Sequence, residues 1–225
     1  MVLQEMALRD GTWERINRAI RERLRVRSKR DPQPSAGVVD SQSVKYSAVG
    51  GEEERGYDRG KKVKGRKRHI LVDTEGFVLR AKVLSAKVLD QVGIKALLRR
   101  AHERFPRLSH LRLDAGHRGE DNGADWVEKT LEWSVEIVQR SKKLVPEEVL
   151  MRWAAEWAKE GGRLAQTVAS KGYVVLPRRW VVERTLSWIE QQRRMSKGYE
   201  RLCASGEALV YACMIRLMTR RLVRA

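Results

Sequence analysis

At 225 residues and 26.0 kDa, with 42% hydrophobic residues, the chain can bury the core of one ordinary domain with a helical appendage. Its 47 Lys and Arg against 29 Asp and Glu give a formal charge of +18 and a pI of about 10.4, which points to a polyanionic partner, nucleic acid first and an anionic membrane surface second. No apolar run reaches the roughly 18–20 residues of a membrane span, the start MVLQEMALRDGTW lacks the regions of a signal peptide, and Cys203 and Cys213 make neither a disulfide framework nor a zinc site, so a reducing cytoplasm is expected.

In chain order, Gly11–Val26 sets Trp13, Ile16, Ile20 and Leu24 at helical spacing. Val26–Pro34 (VRSKRDPQP) is a basic, Pro-containing connector. Ser35–Lys45 (SAGVVDSQSVK) alternates as a strand, with Asp40 in its interior, where Asp is poorly suited. Tyr46–Gly60, with four glycines and the acids Glu52–Glu54, reads as an exposed loop. Gly60–Arg68 (GKKVKGRKR) is the densest basic run, expected in the same loop region, where Lys61, Lys62, Lys64, Arg66 and Lys67 are candidate phosphate contacts. His69–Thr74 and Phe77–Ser85 form a hairpin about Glu75–Gly76. Asp73, beside that turn, reads as structural.

Leu89–Phe105 reads as one helix ended by Pro106. Leu108–Gly119 (LSHLRLDAGHRG) is a short strand that delivers Asp114 to its carboxyl end, followed by a Gly-rich turn. In open sheets with parallel strands, ligands bind at such ends. His117 reads as a loop histidine. Asp121–Leu131 is a helix, Val135–Gln139 a strand and Pro146–Lys159 an amphipathic helix stopped by Gly161–Gly162. From Pro177 a helix is expected to run to Gly198, with Val182, Leu186 and Ile189 on its apolar stripe and Arg179, Glu183, Glu190 and Arg194 on another face. Ser205–Arg224 is a last helix with a basic end, Arg220, Arg221 and Arg224.

The order β–β–β–α–β–α–β–α brings the first and fourth strands together at the centre of a mixed sheet. Asp40, Asp114 and Glu183 would then approach one another. Carboxylates so gathered repel and raise one another's pKa unless a cation neutralises them. Mg²⁺, held by carboxylates and substrate phosphate oxygens, does so, and two such ions can serve an attacking and a leaving oxygen.

VVDSQSVK, GKKVKGRKRHILVDTEG, LRLDAGHRG and LPRRWVVERTLSWIEQQRRMSKGYERL, in this order, resemble a bacterial insertion-sequence transposase of the DDE type. The resemblance runs from about Asp31 to the C-terminus. It implies an α/β fold: a ribonuclease-H-like mixed five-stranded sheet flanked by helices, with a short N-terminal and a longer C-terminal helix. The implied division is a helix and basic connector over 1–34 and a catalytic domain over 35–225. The resemblance matches Asp40, Asp114 and Glu183 to the three catalytic, metal-holding acids. It matches Arg179 to the arginine of the family's Tyr–Arg–Glu–Lys signature, with Leu176 in place of the Tyr and Glu190 in place of the Lys. Glu190 is thereby a minor rival third acid. Arg178, Arg179, Arg193, Arg194 and Lys197 join the candidate DNA contacts. The implied activity is Mg²⁺-dependent strand cleavage and strand transfer at insertion-sequence ends, with two ions and Mn²⁺ as a substitute. The implied partners are double-stranded DNA, as terminal inverted repeats and target, and further copies of the chain on that DNA. The implied location is the bacterial cytoplasm, at the nucleoid. About forty residues precede Asp40, fewer than the family's N-terminal helical region. That suggests a split-frame product, an internal start or a decayed copy, and an alternative function as a non-transposing DNA-binding remnant.

Overall fold

The computed structural model describes residues 11–47, 54–138 and 180–224. The alternation in the first predicted strand becomes β1, Ala36–Lys45, in which Val38 faces one core and Val39 the other. Ahead of it lies helix α1, Thr12–Arg27, within a residue of its expected bounds. Two strands, β2 (Gly56–Asp58) and β3 (Val63–Asp73), follow, and β4 (Val78–Ser85) completes the hairpin about Gly76. Gly76 has φ 84°, in the left-handed region that glycine enters without a Cβ penalty.

The basic run Gly60–Arg68 is therefore not an exposed loop. Its second half is strand β3, eleven residues long, and the segment read as loop before it holds the extra strand β2. Asp58 sets the connection: its Oδ1 accepts from the backbone N–H groups of Gly60 and Lys61, each at 3.0 Å. Burial pushes the Asp58 carboxyl up, but the Ser43 hydroxyl, the Lys61 N–H and Lys67 together hold it at about 2.

Helices α2 (Asp90–Leu98) and α3 (Ala101–Arg104) replace the single helix expected over Leu89–Phe105. Arg100, at φ 58°, breaks the run. Strand β5 (His110–Asp114), helix α4 (Gly123–Leu131) and strand β6 (Ser134–Val138) complete the middle of the chain. Helix α5 spans Trp180–Glu190, and a separate 3₁₀ turn covers Arg193–Met195, so the expected helix does not continue to Gly198. Gly198 instead bridges to Tyr46, donating its N–H to the Lys45 carbonyl at 2.9 Å. Arg194 thus lies off the face shared by Glu183 and Glu190. Helix α6, Cys203–Arg224, ends the described chain. The expected helix Pro146–Lys159, with Leu176, Arg178 and Arg179, lies outside the described residues.

The sheet has six strands rather than five, in the order β2-β3-β1-β5-β6, with β4 also paired to β3. Strands β1, β5 and β6 are parallel, and β3 is antiparallel to β1, β2 and β4. Apart from short β2, this is the expected ribonuclease-H-like arrangement, the first and fourth long strands side by side at the centre.

Each face of the sheet carries its own core. On one, Val38, Ile70 and Val72 pack with Val182, Leu186 and Ile189 of α5, Val210, Met214 and Met218 of α6 and Leu24 of α1. On the other, Val39, Leu71, Leu111 and Leu113 pack with Ile94, Leu97 and Leu98 of α2 and Val127 of α4. A fully buried Leu, Ile or Val is stabilised by about 1.5–3 kcal/mol relative to exposure, so the two layers together fix the register of β1. Helix α1 is joined to the sheet by polar contacts as well. The Asn17 side chain donates to the Val78 carbonyl at 2.7 Å, and Arg25 Nη1 donates to Asp73 Oδ2 at 2.7 Å.

No helix among the described residues is long and apolar enough to cross a membrane.

Candidate active site

Strand β1 pairs in parallel with β5 from Ala36↔His110 to Val38↔Arg112. Continued by two residues, that register sets Asp40 beside Asp114, on strands about 4.8 Å apart. The pairing stops before the two acids, and the strands part into a narrow cleft. Val38, Asp40, Arg112, Asp114 and Val138 line it, with Val182 of α5 closing it. Its volume, about 10 Å³, holds about one water-sized ligand.

Burial, and then the neighbouring charge of Asp114, push the Asp40 carboxyl up to about 6. The Ser41 N–H, which donates to Asp40 Oδ1 at 2.7 Å, and the nearby Lys61 ammonium oppose that rise. Asp114 is held more firmly. Its Oδ1 accepts from the Gly116 N–H at 3.1 Å and lies 2.6 Å from His117 Nδ1. His117 is wholly buried in the 3₁₀ turn Ala115–His117. The reading of His117 as a loop histidine is thereby corrected. The signal for it was the i, i+3 spacing after a strand-end Asp, which one tight turn converts into contact.

Helix α5 brings Glu183 and Glu190 to the same side of the sheet. The Gln42 side chain donates to Glu190 Oε1 at 2.7 Å, and Gln42 shares the face of β1 that carries Asp40. Glu183, seven residues earlier and so on the same helix face, stands in the first turn of α5, next to the cleft residue Val182. Both glutamates are exposed. Among the described residues no three acid, His or Cys side chains are drawn together as a metal site. Two carboxylates, one of them raised by burial and the other's charge, are nonetheless a donor set that fits a hard divalent cation.

On the opposite face of β1, Ser41 Oγ donates to Asp90 Oδ1 at 2.6 Å. Lys67 lies between Asp90, at 3.0 Å, and Asp58, at 3.3 Å. Arg66 stacks on Tyr46, 4.3 Å from the ring centre, and donates to the carbonyls of Glu200 and Arg201. Arg66 and Lys67 are both buried. The expectation that they contact DNA is corrected here, because their charges are satisfied within the fold. Lys61, Lys62 and Lys64 remain exposed, and Lys61 Nζ donates to the Ser41 carbonyl at 2.9 Å, beside Asp40. Arg193, Arg194 and Lys197 are exposed beyond α5, with Arg194 Nη2 2.9 Å from Glu200.

The transposase DDE domain family matches residues 31–218, most of the chain. The protein belongs to that family. Among solved structures, the catalytic domain of Mos1 mariner transposase is similar at 14% identity and a TM-score of 0.31, over 93% of this chain and 89% of that one. The Mos1 mariner paired end complex with Mn is similar at 15% identity and a TM-score of 0.30, over 93% of this chain and 60% of that one. No curated protein sequence matches. The chain thus carries a transposase domain, and Asp40 and Asp114 both lie within the matched region.

Proposed function

We propose that this DDE transposase cleaves DNA strands at the ends of an insertion sequence and joins them to target DNA, with Asp40, Asp114 and Glu183 as its catalytic acids. The observation that carries the reading is that Asp40, in the interior of β1, and Asp114, at the carboxyl end of the adjacent parallel strand β5, line one cleft.

Asp40 and Asp114 would hold Mg²⁺, with Mn²⁺ as a substitute, and Glu183 would complete the set from its helix face. The metal supplies charge neutralisation at the phosphate and a lowered pKa for the attacking oxygen. His117 fixes the orientation of Asp114, and Ser41 N–H that of Asp40. In the first step water adds to phosphorus, the bond to the 3′ oxygen breaks, and that oxygen leaves as a 3′-OH. In the second the 3′-OH attacks a target phosphodiester, forming one bond to phosphorus and releasing another 3′ oxygen. Lys61, Lys62 and Lys64 on one side, and Arg193, Arg194 and Lys197 on the other, would hold the DNA backbone over the cleft. Arg178 and Arg179 belong to the same proposal. Cleavage at paired ends would require more than one copy of the chain.

The test is nicking and joining of a duplex carrying the element's terminal repeats, comparing the wild type with Asp114→Asn, with and without Mg²⁺. Metal-dependent cleavage lost in the variant supports the reading. Binding without cleavage by the wild type would identify a DNA-binding remnant instead.

A further inference from the structure

A second basic surface lies on the flank of α5 away from Glu183 and Glu190. There the C-terminal halves of α5 and α6 form a groove of about 220 Å³, lined by Trp188, Gln191, Gln192, Arg216, Leu217, Arg220, Arg221 and Arg224. Its lining includes four arginines and no acid, and none of those arginines makes an ion pair among the described residues. The arginines are organised. Arg221 lies over Trp188 at 4.5 Å and over Phe77 at 5.3 Å, and Arg184 continues the stack over Trp188 at 4.6 Å and Trp180 at 4.2 Å. Arg216 Nη1 donates to Gln192 Oε1 at 2.5 Å. Arg216, Arg220 and Arg224 recur every four residues, so their exposed heads form one row along α6.

The helix dipole favours cations in the last turn of α6, which accounts for Arg221 and Arg224. It does not account for Arg216, two turns earlier. An aligned row of guanidinium groups matches a row of phosphates, which Arg engages bidentately.

We infer that this groove binds the phosphate backbone of duplex DNA, independent of sequence, at a place separate from the phosphodiester at Asp40 and Asp114. The inference rests on the reading of the chain as one that acts on DNA. Because the Trp188 flank faces the Gly76 turn while Glu190 faces Gln42, the backbone held here is a different stretch from the one being cut.

The experiment measures binding of a 30-base-pair duplex lacking terminal repeats, in magnesium-free buffer over a range of salt, by the wild type and by Arg220→Gln with Arg224→Gln. Both side chains are exposed, and an unchanged melting temperature confirms the fold. The expected result is about tenfold weaker binding and a salt slope reduced by about 2, as for two lost phosphate contacts. Nicking at saturating protein should stay within about twofold, since neither residue touches the cleft. Unchanged affinity and slope in a variant of a cleaving wild type would overturn the groove and leave the functional reading intact. Loss of binding confined to single-stranded RNA of equal length would also overturn it. A wild type that neither binds nor cuts DNA would remove both readings.

Discussion

His117 Nδ1 lies 2.6 Å from Asp114 Oδ1, with the imidazole sealed from solvent and the carboxylate open to the cleft. One ring orients one acid. His117→Ala should loosen the orientation of Asp114, which keeps the Gly116 N–H, and lower Mn²⁺ affinity by about 10–100-fold, the usual loss when a ligand's supporting partner is removed. His117→Asn, which keeps a donor near the same place, should recover part of it. Calorimetric Mn²⁺ titration of both variants checks this, and equal affinities for all three proteins would refute the role.

Asp40 titrates near 6, above the ordinary 3.8, because burial and Asp114 disfavour its charged form. The folded chain therefore binds more protons here than the unfolded chain between about pH 4 and 6, and stability from this group falls as pH rises through that window. The penalty is complete above pH 6, at most about 3 kcal/mol before solvent reaching the cleft reduces it. Asp40→Asn should thus raise the melting temperature of the metal-free protein at pH 7.5, with the gain shrinking toward pH 4. Mg²⁺ should stabilise the wild type and not the variant. Scanning calorimetry with and without chelator reads both effects.

Asp73 and Arg25 form a buried pair at 2.7 Å, and Asp73 Oδ1 also accepts from the N–H groups of Glu75 and Phe77, each at 2.9 Å. Burial pushes the Asp73 carboxyl up against the opposing pull of Arg25. Arg25→Met would strand that charge, and breaking a buried pair costs about 3–5 kcal/mol. Urea unfolding at pH 7.5 should show it. Asp73→Asn together with Arg25→Met should recover part of the loss.

Thr185 Oγ1 donates to the Gly76 carbonyl at 2.7 Å and so ties α5 to the β3–β4 turn. Thr185→Val keeps the shape and leaves a buried carbonyl without its donor, a loss of about 1–3 kcal/mol. Because α5 also carries Glu183, cleavage should fall more than binding does. Parallel denaturation and nicking assays separate the two.

Much of this was legible in the sequence. Asp40 stands out as an acid in a strand interior that resists one, Asp114 as an acid delivered to a strand end, and the order of strands and helices foretells which strands become neighbours. The burial of the basic run is not legible, because charge alone does not say whether a side chain is solvated. Lys67 is buried by Asp58 and Asp90, and Arg66 by Tyr46 and the carbonyl of Glu200, 134 residues along the chain. Hydrophobic periodicity likewise cannot see such partners, so β3 begins earlier and α5 ends sooner than the pattern alone predicts.

What the sequence determined by itself are the local choices: the period of each strand and helix, the glycine turn at Gly76, the excess of positive charge and the family. These depend on neighbours a few residues away. The tertiary structure alone decided which charges face solvent, that Asp40 and Asp114 line one cleft, and that His117 is folded against Asp114. Those outcomes depend on strand register and on the two cores that clamp the sheet, and a one-residue slip would turn Asp40 away from Asp114.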